Sequence, residues 1–495
     1  MAKMLIDINK TGNKINPVWN FGFNTCHAAL HLRDDLPSQV SLAKECNFKY
    51  IRFHHNFSEA VGIYTENEKG ESVYNFDNFD KIYDKAIKNG MLPFMEIGFC
   101  PESLKVSDKT LMAYKASTSK PKSYEKWAEL IKKLVSHCIE RYGINCVKKW
   151  YFEVWNEPDI IFFDGNMEDY FELYDHTALA IKSVDESLKV GGPATSKCAW
   201  VADFIKHIEN GSQISGFKSL PCDFISTHAY PSDLPFFTKA HGDVQLLNSG
   251  ILYEMYSMVR KTMDNSSLKN LPLIMGEWNS SAGPLAFNHD EKNNAAFIVK
   301  TLNDLKYIID GSLYWNLSDI NEEVGFHYAP FHGGYGLFNV NDIPKSSYNA
   351  FKLLNMIKGD ELVTCMDDEQ KDGRGVLASF DNDNKEINIL LYHYVEPDSK
   401  ESGPWNVSID ISGVQSETVS YKSYAISDNG GSSYEWWLKM GSPEYLNPEK
   451  MQFLYDKSVM PEENKILFID KALKTYTLNE TLYPGDVKLI RIFNI

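Results

Sequence analysis

The sequence is poor in every feature that would tie it to a membrane, a nucleic acid or a disulfide framework. No stretch approaches the ~18 consecutive apolar residues of a bilayer-spanning helix. Residues 1–8 (MAKMLIDI) have neither the long apolar core nor the small-residue cleavage site of a secretory leader, so the expected location is the cytoplasm. Basic residues are outnumbered, 50 Lys and Arg against 67 Asp and Glu, and the resulting net charge of −17 argues against nucleic acid or an anionic membrane as partner. A neutral ligand is not disfavoured, because electrostatic steering needs a charged one. The eight cysteines are scattered with no CxxC pair, which in a 495-residue chain without a leader favours buried free thiols over disulfides. There is no HExxH and no Cys cluster; His54 and His55 are adjacent and diverge on a strand, and His327 and His332 lack helical spacing, so no metal is expected. No GxSxG nucleophile elbow occurs, which disfavours a serine hydrolase. No internal repeat and no low-complexity linker is present, and nothing in the sequence calls for a cofactor.

What is present is alternation. Eight short β-like runs (Trp19 to Asn24, Tyr50 to His55, Leu92 to Gly98, Trp150 to Glu157, Lys189 to Ala194, Phe224 to Tyr230, Leu271 to Trp278 and Ser312 to Leu317) are separated by amphipathic helical stretches. In one of these, Tyr124 to Tyr142, the residues Trp127, Leu130, Ile131, Leu134 and Cys138 recur at helical spacing. Eight strand–helix units predict a closed (β/α)8 barrel, a TIM barrel, over residues 15–344. An open doubly wound sheet is the runner-up, weakened because no glycine-rich phosphate loop follows the first strand. After residue 345 the pattern becomes alternating strands divided by turn signals such as Asn429-Gly430-Gly431. This predicts an attached β-sandwich domain over residues 345–495, with a helical insertion around Pro448 to Tyr455 and with residues 1–14 joining it.

Two carboxylates stand out. Glu157, in Trp155-Asn156-Glu157-Pro158, and Glu277, in Met275-Gly276-Glu277-Trp278, each close an apolar run that reads as a buried strand. In a barrel of this kind the chemistry sits at the C-terminal ends of the strands. Two carboxyls facing each other there, one a proton donor and one a nucleophile, are the minimum equipment for cutting a glycosidic bond with retention. Pro158 is expected to hold Glu157 in extended backbone. Asn156 is placed to hydrogen-bond a substrate hydroxyl. His228 and Tyr230 flank Ala229 and point the same way, Tyr230 towards the nucleophile and His228 towards a sugar hydroxyl. Trp315 reads as a sugar platform. Each has a plainer counterpart: a surface loop carboxylate for Glu157, a buried salt bridge with Arg52 for Glu277, a satisfied core histidine for His228 and barrel filler for Trp315.

The segments Phe48 to His54, Leu92 to Phe99, Phe152 to Pro158, Phe224 to Pro231, Tyr314-Trp315, Asp319, Glu322-Glu323 and Phe331 to Leu337 together resemble glycoside hydrolase family 39, and within it the β-xylosidases. The resemblance implies a barrel with an attached sandwich and a retaining exo-glycosidase that releases xylose from xylo-oligosaccharides. It also implies that Glu157 is the acid/base and Glu277 the nucleophile, and that a dimer or tetramer is possible. His54, Asn156, His228, Tyr230, Trp315 and one of Glu322 or Glu323 are implied to contact the terminal sugar. Three departures bear on specificity: Phe53 and His55 flank the strand-two histidine where glycines are usual, Met112-Ala113 replaces an aromatic, and Trp278 follows the nucleophile where Phe is usual. The alternatives are a family 39 enzyme of another specificity, α-L-iduronidase or arabinosidase type, and a non-catalytic carbohydrate-binding protein.

Overall fold

The computed structural model describes residues 2–232, 246–366, 373–397, 399 and 403–495. Eight parallel strands close into a barrel in chain order: Gly22–His27, Tyr50–His54, Leu92–Ile97, Tyr151–Val154, Lys189–Thr195, Phe224–His228, Leu273–Trp278 and Gly311–Tyr314. Each is followed by a helix of the outer ring. The third, Tyr124–Tyr142, starts at Ser123, whose side chain accepts from the Lys126 N–H, and it buries Trp127, Leu130, Ile131, Leu134 and Cys138 against the strands. The last, Ser346–Met356, packs on Lys292–Leu305 and leads out of the barrel. No helix among the described residues is long and apolar enough to cross a membrane.

Strand parity sorts the barrel interior into layers. Phe94, Tyr151, Phe224, Ile274 and Leu313 plug its N-terminal end, with Phe21 and Tyr50 beneath them. Their alternate neighbours, such as Ile51, Phe152, Val154, Ile225 and Met275, face the helices. One step along each strand the inward positions become polar: Asn24, Arg52, Glu96, Glu153 and Ser226, all fully buried. Arg52 sits at the centre of this layer. Its guanidinium donates to Glu153 Oε2 at 2.6 Å and Asn24 Oδ1 at 3.1 Å, and lies 3.4 Å from Glu96. Ser226 Oγ donates to the other Glu153 oxygen at 2.6 Å. A buried guanidinium is tolerable only when its donors are taken up in this way.

The second domain is one nine-stranded mixed sheet that curls until its inner faces share a core. Ala2–Lys14 lies inside it, antiparallel to Asp360–Met366 on one side and parallel to Trp405–Ser412 on the other. The strand Glu386–His393 is buried on both faces: Ile387, Ile389 and Leu391 enter the sandwich core, whereas Leu390 and Tyr392 join the barrel's own core. The sheet is therefore packed directly against the barrel helices. Polar ties reinforce the contact: Lys292 Nζ lies 2.9 Å from Asp486, the Ser249 N–H donates to Glu396 at 2.8 Å, and the Asn349 amide donates to the carbonyls of Gly431 and Ser458 at 2.9 and 2.7 Å. Helices Tyr434–Lys439 and Pro448–Ser458 are inserted between the strands Thr418–Ile426 and Glu462–Phe468, and they bury Tyr434, Trp437 and Leu454 against Phe331.

Candidate active site

Above the polar layer, at the C-terminal end of the barrel, is a cavity of about 160 Å³. Its lining includes His54, Asn156, Glu157, Tyr230, Glu277, Trp315 and Glu323 from the strand ends, joined by Met112, Ile160, Phe162, Ser196, Lys197 and Tyr335. Seven of the nine candidate residues therefore meet at one place. The other two do not line it. His228 is fully buried behind the carboxylates, with Nδ1 3.1 Å from Glu157 Oε1 and 3.5 Å from Glu277 Oε2. It faces the two acids rather than the space where a hydroxyl would sit. Glu322 turns away to bond His27 at 2.5 Å and borders a neighbouring cavity, so of the adjacent pair it is Glu323 that enters the site.

The two carboxylates arrive by different local devices. Glu277 is in phase with Leu273 and Met275, which point outwards. A register irregularity, where His228 pairs with Glu277 after Thr227 has paired with Met275, shifts the alternation and turns Glu277 inwards. Gly276 beside it leaves room for the two side chains, because a Cβ there would crowd the His228 ring at 3.1 Å and Glu153 at 3.3 Å. Glu157 lies three residues beyond its strand. Its φ is 44°, left-handed rather than the extended backbone expected ahead of Pro158. Trp155, at φ 70°, has already reversed the chain, and the Glu157 N–H is held by the Ala194 carbonyl at 2.8 Å, so the end of the neighbouring strand overrides the local preference.

The environments of the two acids are opposite. Burial lifts Glu157 well above the ordinary carboxyl range, and the negative charges of Glu277 and Asp159 add to it. Burial also pushes Glu277 up, but His228, the bond from His54 and the charge of Arg52 outweigh it and hold Glu277 down at about 2. Burial drives His228 itself towards its neutral form, so at neutral pH the cations beside Glu277 are Arg52 and His54. Arg52 Nη1 is 3.2 Å and His54 Nε2 3.4 Å from Glu277 Oε1, while the Tyr230 hydroxyl donates to Oε2 at 3.1 Å. The ion pair with Arg52 is real, yet Glu277 still opens on the cavity. His54 stays protonated: burial opposes its charge, but Glu96, bonded to Nδ1, and Glu277 raise it to about 9. Arg52 Nη2 also takes the Asn156 Oδ1 at 2.9 Å, which leaves the amide NH2 as the donor towards the cavity. Burial and the Glu277 charge raise Glu323 to about 8.

Trp315 is buried against His54, with ring centroids 4.9 Å apart, and against Tyr335 at 6.1 Å, while one face remains part of the cavity wall. Of the departures flanking the motifs, only Met112 lines this cavity. His55 faces the adjoining one, and Phe53 and Trp278 pack outwards among the helices. Carboxylate oxygens of Glu157 and Glu277 and a nitrogen of His228 lie within 4.8 Å of one another, the one trio among the described residues spaced to hold a metal. A metal-binding histidine ordinarily anchors its second nitrogen. His228 Nε2 has no hydrogen-bond partner, so the trio fits proton chemistry better than a metal centre. Glu153, Arg52 and Tyr335 are the supporting residues that the motifs understated. The signal for Glu153 was a charge inside an otherwise apolar strand.

Residues 2–465 match the sequence model of Glycosyl hydrolases family 39. The whole chain is 37% identical over 501 residues to a β-xylosidase of Caldicellulosiruptor saccharolyticus, covering 99% of that protein. A β-xylosidase of Geobacillus stearothermophilus is 34% identical over 452 residues, covering 89% of this chain and 86% of that protein. Among solved structures, a monomeric β-xylosidase from Caulobacter crescentus CB15 superposes with a TM-score of 0.89 at 32% identity, covering 100% of this chain and 99% of that one.

Proposed function

This chain belongs to glycosyl hydrolases family 39 and is a glycosidase, and on that premise we propose that it is a retaining exo-β-xylosidase that releases xylose from the non-reducing end of xylo-oligosaccharides. The observation that carries the proposal is the facing pair: an ionised Glu277 and a protonated Glu157 with oxygens within 4.8 Å of each other, across the cavity. Retaining enzymes hold their carboxyl groups ~5–5.5 Å apart, against ~6.5–9.5 Å when a water must fit between them. The small size of the cavity, about 160 Å³, favours exo action on a single terminal sugar.

Glu277 attacks the anomeric carbon, with its charge steadied by Arg52, His54 and Tyr230 until the bond forms. Glu157 gives its proton to the leaving oxygen, directed by the bond to His228. The aglycone departs on the side of Ile160, Phe162 and Ser196. Glu157, now a base, takes a proton from water, and the resulting hydroxide displaces Glu277 with overall retention. Trp315 and Tyr335 pack on the ring, while His54, Asn156 and Glu323 bond its hydroxyls. The reading is tested with aryl β-xyloside, α-L-arabinoside and α-L-iduronide substrates, following product stereochemistry by NMR. The β-xyloside is expected to be the best substrate and to release β-xylose first. Release of α-xylose would refute retention, and a preference for the iduronide would move the specificity to an acidic sugar received by Lys197 at the rim.

A further inference from the structure

A third carboxylate lies near Glu157, outside the cavity lining. Asp159 lies two residues beyond Glu157, and its two oxygens accept from the backbone N–H and the hydroxyl of Ser196, at 2.8 and 2.7 Å. Ser196 begins the segment that follows the fifth barrel strand, and it lines the cavity together with Lys197. Both segments are strained. Trp155 and Glu157 on one, and Ala194, Lys197, Cys198 and Trp200 on the other, have φ between 44° and 70°, a conformation unfavourable for any residue with a side chain. Such backbone persists only where other contacts over-determine it. Two such contacts join the segments here: the bond from the Glu157 N–H to the Ala194 carbonyl, and the doubly bonded Asp159–Ser196 pair.

We propose that Asp159 is a positioning residue for the acid/base, bracing Glu157 through Ser196. This rests on the assignment of Glu157 given above. The charged and titratable groups around Glu157 are Arg52 and His54 from the second strand, His228 and Tyr230 from the sixth strand and its end, Glu277 from the seventh, Glu323 after the eighth and Lys197 after the fifth. Arg52 and His54 oppose the proton, and Glu277 and Asp159 favour it. The two favourable charges differ in kind. Once Glu277 has become the sugar ester its charge is gone, and Asp159 remains as the negative neighbour that preserves the basicity Glu157 needs to take a proton from water. Asp159 therefore supports both halves of the cycle.

Asp159→Asn removes the charge and keeps an acceptor and a donor for Ser196; Ser196→Ala keeps the charge and removes half of the brace. Each is measured as kcat/KM against pH on phenyl β-xyloside, a poor leaving group, and dinitrophenyl β-xyloside, a good one, beside Glu157→Ala. For Asp159→Asn the basic limb should move to lower pH by about half to one unit, less than the ~1–3 produced by a charge in direct contact. The kcat on the dinitrophenyl substrate should fall, because breakdown of the ester then has a weaker base. For Ser196→Ala the basic limb should stay in place, and the phenyl substrate should lose several-fold more than the dinitrophenyl one. A parental basic limb in Asp159→Asn overturns the electrostatic role, and parental kinetics in Ser196→Ala overturn the brace. Equal losses on both substrates in Glu157→Ala would instead overturn the acid/base assignment itself. Leaving-group-selective loss in that variant beside two parental-like ones would remove the role of Asp159 alone.

Discussion

Replacing His54 by Gln isolates one of the two charges that keep Glu277, the proposed nucleophile, ionised. The imidazolium is fixed between Glu96 and Glu277, with Nε2 3.4 Å from Glu277, and glutamine retains a donor at that place without the charge. An opposite charge at this range shifts a carboxyl by ~1–3 pH units. Starting from about 2, Glu277 should rise to roughly 3–5. At the upper end roughly half of the enzyme would carry an unreactive nucleophile at pH 5, whereas the parent would be almost fully ionised. The acid limb of kcat/KM on nitrophenyl β-xyloside should therefore move up. The basic limb should move up with it, because the same cation also opposes the proton on Glu157. Stability gives an independent readout. His54 is raised from 6.5 to about 9 in the folded state. Its contribution is complete below pH ~6.5 and is lost as pH rises through about 9. The difference corresponds to ~3 kcal/mol. The parent should lose melting temperature between pH 7 and 10 more steeply than His54→Gln. An acid limb that stays at the parental pH, together with identical melting curves, would refute the placement of a charged His54 beside Glu277.

Glu277→Ala should abolish turnover and be partly rescued by azide, giving the inverted xylosyl azide; an adduct of unchanged configuration by NMR would contradict its role. Glu157→Ala should lower kcat/KM on phenyl xyloside by orders of magnitude while sparing dinitrophenyl xyloside glycosylation, which a leaving-group series checks. Glu323, raised to about 8, is mostly the neutral acid at pH 7, so Glu323→Gln should cost about two- to tenfold in kcat/KM, in line with ~0.5–1.5 kcal/mol for a neutral hydrogen bond, whereas Glu322→Gln, which touches His27, should cost little. Lys345→Met should lower stability by about 3–5 kcal/mol, read by thermal or urea unfolding. The reason is that Lys345 is buried between Asp290 and Asp319, 2.5 and 3.1 Å away, and also holds the Gly334 carbonyl at 2.7 Å.

The barrel was legible because its strands are spaced by helices with clear periodicity and because most strand residues on the face that meets those helices are apolar, Thr25, Thr227 and Ser312 being exceptions. Trp127, Leu130, Ile131, Leu134 and Cys138 lie where their spacing puts them. The strand ends were less legible. Simple alternation would point Glu277 outwards with Met275, and only a register shift against the sixth strand turns it in, a property of two strands together. The left-handed backbone of Glu157 likewise depends on the Ala194 carbonyl, which is remote in sequence. Glu322 and Glu323 are indistinguishable as letters; His27, nearly three hundred residues away, captures the first and leaves the second to the site. His228 could be assigned to the site from its strand, but not to a position behind the acids. Arg52 was visible as a partner for Glu277, and its simultaneous hold on Glu153, Asn24 and Asn156 was not.

The place of Ala2–Lys14 within the sheet has a consequence for how the chain is made. Its neighbours, Asp360–Met366 and Trp405–Ser412, leave the ribosome about 350 and 400 residues later, a delay of roughly 20–80 s at ~5–20 residues per second. Throughout that time the nascent chain carries an unpaired strand that ends in exposed amide and carbonyl groups, next to a barrel that is still being completed. This interval, rather than the barrel itself, is where association between nascent chains should begin, and slowing translation after residue 345 should increase it.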